Sequence, residues 1–198
     1  MSNIEQTNER EFNTKFRLIG GLFLLVFCFY GGGHAFVSNG QPTIGLVLML
    51  ANSAAVIAIG TLLRTIIARD SLFSANVYLV TRLAEGLLLG TGAIIWTFES
   101  QGFNGAELNT VLYRLSMITL GLGSIGFCRW LIVTRYVHVI LAWLGLVGYP
   151  LLALAMIAEF AGSKIIATIF LVPGAVFELI FGFLLLFMGL RDPSHAVQ

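Results

Sequence analysis

The stretch Thr43–Leu63 reads TIGLVLMLANSAAVIAIGTLL and holds no charged residue over its 21 positions. About 20 apolar residues in helical form cross the hydrocarbon core of a bilayer. In lipid the backbone must satisfy its own hydrogen bonds, which a helix does within one segment. The stretch is therefore read as a transmembrane helix. Five others meet the same standard: Leu18–Val37, Ala75–Phe98, Leu108–Phe127, Val137–Ala161 and Ile165–Leu190. Loop signals separate them, as in Ser38-Asn39-Gly40-Gln41-Pro42, Arg64–Ser74 and Glu99–Glu107. Cys128–Tyr136 and Gly162-Ser163-Lys164 complete the breaks.

The composition of the 198 residues agrees. Hydrophobic residues make up 58%, charged residues 11%, and the mean hydropathy is +0.92. A soluble domain carries about 25% charged residues and cannot hide this much apolar surface. Disordered, collagenous and disulfide-stapled classes need other compositions. A net charge of +1 gives no case for nucleic-acid binding, which needs a basic face. The expected architecture is all-α: a polytopic six-helix bundle over 18–190, with short tails at 1–17 and 191–198.

Gly33-His34-Ala35 has the small residues of a signal-peptide cleavage site. The segment before it mixes Glu5, Glu9 and Glu11 with Arg10, Lys15 and Arg17, so the first span is expected to be retained. Lys and Arg set orientation through the short loops. With both ends in the cytoplasm, eight fall inside (Arg10, Lys15, Arg17, Arg64, Arg69, Arg129, Arg135, Arg191) and only Lys164 falls outside. Both termini are expected in the cytoplasm. Trp96, Trp130, Tyr113 and Tyr136 fall near span ends, where interfacial aromatics belong. Cys28 and Cys128 lie at different depths, which argues against a disulfide. No CxxC or HExxH appears, so neither a metal site nor a catalytic motif is expected, and the sequence names no cofactor.

Several stretches resemble one family. Arg17-Leu-Ile-Gly-Gly-Leu-Phe-Leu-Leu opens span one, and Thr81-Arg82-Leu-Ala-Glu85-Gly-Leu-Leu-Leu-Gly90 lies in span three. Leu131-Ile-Val-Thr-Arg135 leads to Trp143-Leu-Gly-Leu-Val-Gly148-Tyr149, and Leu171-Val-Pro173-Gly-Ala-Val-Phe-Glu178-Leu lies in span six. In this order they are similar to the DUF4386 family of small bacterial membrane proteins. The chain departs from that pattern at Tyr136-Val137-His138, where an Ile/Val-Pro-Arg step is usual. The resemblance implies a six-helix protein of the bacterial inner membrane and no assigned activity.

Ionisable side chains inside spans are costly, from about 2.5 kcal/mol upward for Arg or Asp at the centre, and by default mark function. Arg82, Glu85 and Glu178 are well inside. At 1.5 Å per residue they lie about 10, 15 and 20 Å from the near ends of their spans. Arg82 and Glu85 are three apart and share a helix face. Arg82 is expected to pair with Glu178 across spans three and six, with Asn52 near them. One Arg between two Glu leaves one negative charge in excess, suited to a proton or a cation. Nearer the outer surface, His34, Arg114 and Glu159 are expected to line a second pocket facing the bundle interior. Pro150 and Pro173 are expected to kink their helices.

A structural ion pair fixing the packing of spans three and six is the simplest account of the inner charges, ahead of a ligand or proton site. Glu85 and Glu178 are 93 residues apart, a register that an inverted three-helix repeat would give and that equal helix lengths would also give. Three functions stay open. One is a small-molecule or proton-coupled binding or transport protein. Another is an interaction or sensor subunit held together by its charges. The third, an enzyme acting on lipid, lacks a nucleophile–base pair. The partners expected are the bilayer and a small-molecule or lipid ligand, with an oligomer left open.

Overall fold

A computed structural model describes residues 3–98 and 104–188, with side chains from residue 14 onward. The loop positions 99–103, Leu190, the tail at 191–198 with Arg191, and the side chains of the first 13 residues, Arg10 included, lie outside the described residues.

The described chain holds seven helices and no strand. They are α1 (Asn3–Ser38), α2 (Pro42–Ile67), α3 (Leu72–Thr97), α4 (Gly105–Gly123), α5 (Ile125–Thr134), α6 (Val139–Phe160) and α7 (Lys164–Phe187). Six segments are long and apolar enough to cross a membrane, with α4 and α5 counting together as Gly105–Thr134. The fold is the expected multi-pass helical bundle. The stretch read as an N-terminal tail continues α1 back to Asn3.

Local chemistry sets the helix ends. Pro42 opens α2 at a position where its missing N–H costs nothing. The Ser71 hydroxyl accepts from the Ser74 amide at 3.3 Å, and the Asn104 side chain accepts from the Glu107 amide at 3.0 Å. Each satisfies an amide that the first turn leaves without a partner. Gly40 and Gly162 take the left-handed conformation in the tight turns after α1 and α6, with φ of 78° and 86°.

The fourth span is longer than its hydropathy suggests. Cys128–Tyr136 reads as a loop, yet α5 continues the span to Thr134 with Phe127, Cys128, Trp130 and Leu131 buried. Only a break at Ser124 interrupts it. Arg129 lowers the average hydropathy but sits on the exposed face, while the buried face stays apolar. Trp130, near that end of the span, turns inward. It is 5% exposed and donates to Asp70 Oδ2 at 3.0 Å.

Each spanning segment packs against its neighbours in sequence, and α1 packs against α7, closing the bundle into a ring. The closure is tight at one end. A Cβ on Gly20 of α1 would lie 2.5 Å from the Leu186 nitrogen and 2.6 Å from the Gly182 oxygen. On this side of mid-bundle an aromatic core fills the ring. Phe127 lies 4.7 Å from Tyr78 and 5.7 Å from Phe181, and Phe23 meets Phe181 edge-on at 5.4 Å. Towards the other end, where α1 finishes, the centre is open.

Candidate functional site

Arg82 is held by its own helix and by what faces it. On α3, Tyr78 lies one turn before it and Glu85 one turn after, so all three share a face. The facing position on α2 is Gly60, where a Cβ would come within 2.5 Å of the Arg82 Cβ. Glycine there lets α2 approach the stem of the arginine. On the far side Gly148 of α6 packs on Gly174 of α7, 2.8 Å from a would-be Cβ to the Gly174 nitrogen. That close approach brings Tyr149 and Glu178 to the guanidinium together.

The resulting cluster uses the whole guanidinium fork. Nε donates to the Tyr78 oxygen at 2.9 Å, and Nη1 donates to Glu85 Oε2 at 3.0 Å. Nη2 donates to Glu178 Oε1 at 3.2 Å and, at 3.5 Å, to the Tyr149 oxygen. Tyr149 in turn donates to the same Glu178 oxygen at 2.9 Å. The guanidinium carbon also lies 5.4 Å from the Phe23 ring centroid and 5.2 Å from that of Tyr78, within cation–π range. Arg82 and Glu85 are 2% and 3% exposed. The three ionisable residues read from the sequence meet in one place. Tyr78 and Tyr149 are additions, since a tyrosine in an apolar stretch reads as core or interface until its hydroxyl is located.

Above this cluster lies a cavity of about 300 Å³. Its floor is Arg82, Glu85 and Glu178, with Asn52 of α2 beside them. Its walls are apolar and aromatic, including Tyr30 of α1, Tyr113 of α4 and Leu171 of α7. Tyr30 stacks on Tyr113 with ring centroids 5.0 Å apart, so Tyr113 is a wall residue rather than a membrane-surface aromatic. Phe27 and Gly31 of α1 are exposed, and Ala175 of α7 is half-buried, whereas the wall residues of α2 and α3 are all buried. The cavity therefore opens between α1 and α7, on the half of the bundle away from the Gly20 contact.

The second group of sequence candidates does not assemble as expected. Arg114 Nη2 and Glu159 Oε1 form an ion pair at 3.1 Å, and the guanidinium lies 5.0 Å from the Phe160 ring. His34 is exposed and packs against Trp96 at 4.8 Å. None of the three lines the cavity. The physical reason lies in depth: His34 follows Tyr30 by one turn on α1 and meets Trp96 of α3 above the cavity, near the end of the bundle, while Gly33 beside it packs on Met49 of α2.

With the geometry in place, the sequence profile of a domain of unknown function, DUF4386, matches residues 18–189. The chain belongs to the DUF4386 family. No curated protein and no solved structure matches it. What this DUF4386 protein offers chemically is thus read from its site. Among the described residues no group of His, Cys, Asp and Glu could hold a metal ion. Cys28 and Cys128 are both free, one exposed and one buried.

Proposed function

We propose that this DUF4386 protein is an intramembrane binding protein for a small molecule, with the cavity over Arg82 as its site. One observation carries the reading: a cavity of about 300 Å³ has its charged and amide groups gathered at its floor. Ligand sites typically combine apolar walls with a few convergent polar groups, at volumes from about 300 Å³ upward. A purely structural ion pair has no need of the space beside it. Proton coupling fits the same site, because two carboxylates share one arginine. We place the protein in a bacterial inner membrane with both termini in the cytoplasm. The cavity then lies in the outer half.

The competing reading, a bundle merely pinned by its charges, draws on the completeness of the pairing, since every nitrogen of the guanidinium has a partner. A thermal-shift screen in nanodiscs separates the two. Under the binding reading, soluble compounds small enough for the cavity raise the melting temperature, as any ligand of the folded state must. Gly31→Trp, which puts a ring at the mouth, abolishes those shifts. If no compound shifts the wild type and the neutral triple variant R82M/E85Q/E178Q melts at or above it, the charges are structural.

A further inference from the structure

The charges on the cavity floor do not cancel. With both acids ionised, Arg82 brings one positive charge against two negative ones from Glu85 and Glu178. Each carboxylate also has an oxygen to spare. Arg82 takes Oε2 of Glu85, while Arg82 and Tyr149 both take Oε1 of Glu178. Among the described residues no hydrogen bond reaches the second oxygen of either, or the side chain of Asn52. Asn52 is only 3% exposed and still faces the cavity. Two carboxylate oxygens and the Asn52 amide oxygen thus converge beside an excess negative charge, the Asn52 amide also offers its own N–H groups, and four of the five N–H donors of Arg82 are already in use. An ionised carboxylate accepts and does not donate.

We infer that the ligand of this site is a protonated amine on a small apolar or aromatic body, its ammonium seated between Glu85, Glu178 and Asn52. This rests on the binding role proposed above and specifies the ligand class. An ammonium supplies up to three N–H donors and one positive charge, which the floor lacks. An anion meets the excess negative charge and finds Arg82 already paired with two carboxylates. A neutral alcohol has one donor to give and leaves the charge uncompensated. The walls decide against a bare inorganic cation. Tyr30 and Tyr113 stack on one another beside an apolar lining, which favours an organic body and leaves few oxygens to complete a metal's shell. Aromatic faces also attract a cation from within about 6 Å of the ring.

The entry route follows from the same geometry. α1 and α7 touch closely at Gly20 and part towards the cavity, where a Cβ on Gly31 would meet nothing within 4 Å. The mouth therefore faces the lipid side of the bundle. An amine partitions there in its neutral form and accepts the proton that one of the two carboxyls carries in the empty site, so that ammonium and carboxylate form together.

The test uses the full chain in nanodiscs and three probes of one shape: phenethylamine, 2-phenylethanol and 3-phenylpropionate. Affinities come from thermal shifts and from equilibrium dialysis against empty nanodiscs, which corrects for partition into lipid. Phenethylamine should bind at least about tenfold tighter than the alcohol, a difference of about 1.4 kcal/mol, and the carboxylate should not bind. Glu178→Gln keeps an acceptor for Arg82 and Tyr149 and leaves Arg82 and Glu85 as a neutral pair, so it should fold. It should lose at least about tenfold in amine affinity and bring the ratio of amine to alcohol affinity down towards one. Gly31→Trp should remove binding of both without unfolding, since no atom opposes a Cβ there. If the alcohol binds as well as the amine and Gly31→Trp removes both, the cavity is a ligand site and the ammonium assignment is wrong. Equal stabilisation by sodium ion alone also overturns it. If no probe binds, or amine binding survives Gly31→Trp, the ammonium assignment and the binding role fall together.

Discussion

Arg82 is the residue on which most depends. Four of its five N–H donors serve two carboxylates and two phenols, a set no single-point cation can reproduce. Removing one partner of a buried pair costs about 3–5 kcal/mol, because the other charges stay behind uncompensated. Arg82→Ala strands Glu85 and Glu178 together, so we expect loss of most monodisperse protein on size exclusion. Adding Glu178→Gln should recover part of it, and adding Glu85→Gln as well should recover more. If the double variant melts no higher than the arginine variant alone, the coupling between Arg82 and Glu178 is absent. Tyr149→Phe is milder. It removes one donor to Glu178 and one contact of Arg82, and hydrogen bonds to charged groups contribute about 1.5–3 kcal/mol each. Its melting temperature should fall between those of wild type and Arg82→Ala. The charged members of this cluster are legible in the sequence because an ionisable residue in an apolar run must find a partner. The tyrosines are not, since the hydroxyl of a core tyrosine leaves no periodic trace. Nor could His34 be excluded from the cavity by sequence, because it lies one turn beyond Tyr30 on the same side of α1 and only its contact with Trp96 places it past the cavity.

Close contact between helices depends on where glycine lies. Gly20 and Gly21 are adjacent in α1 but face different surroundings. A Cβ on Gly20 would strike the backbone of α7, while one on Gly21 would meet nothing within 4 Å. Gly20→Leu should therefore push α1 from α7, and overpacking costs about 1–3 kcal/mol or more where the backbone must move. Gly21→Leu should be neutral or slightly stabilising, since glycine is a poor helix former. Thermal melts of the pair in one detergent decide this, and equal losses would mean α1 and α7 do not touch there. The spans themselves are legible as uninterrupted apolar runs. What resists reading is the fourth. Arg129 beside Trp130 looks like a membrane boundary, yet the helix runs on to Thr134 with Trp130 turned inward to Asp70. Hydropathy averages around the helix, whereas burial depends on one face of it.

At the scale of the whole molecule, six crossings put the two ends of the bundle's chain on one face of the membrane. Which face is a matter of charge. Of the described Lys and Arg near helix ends, Lys15, Arg17, Arg64, Arg69, Arg129 and Arg135 lie towards the end where α1 begins, and Lys164 lies at the opposite end. Arg114 is also nearer that opposite end, but its pairing with Glu159 offsets its charge. Positive loops are retained in the cytoplasm, so the Gly20 end of the bundle should face inward and the cavity mouth outward. A fluorescent protein fused after Gln198 should therefore fluoresce, and alkaline phosphatase fused there should be inactive. Fusion reporters can distort short tails, so a second probe is needed within the chain. Ser163 lies in the turn before α7, at the end away from the basic rim. In a variant lacking Cys28 and Cys128, Ser163→Cys should react with a membrane-impermeant maleimide added to whole cells, and Arg135→Cys should react only after the membrane is opened. Labelling in the reverse pattern would invert the bundle and turn the cavity to the cytoplasm. Labelling of both sites in intact cells would mean an even number of crossings between them, against the single α6 segment that joins them here.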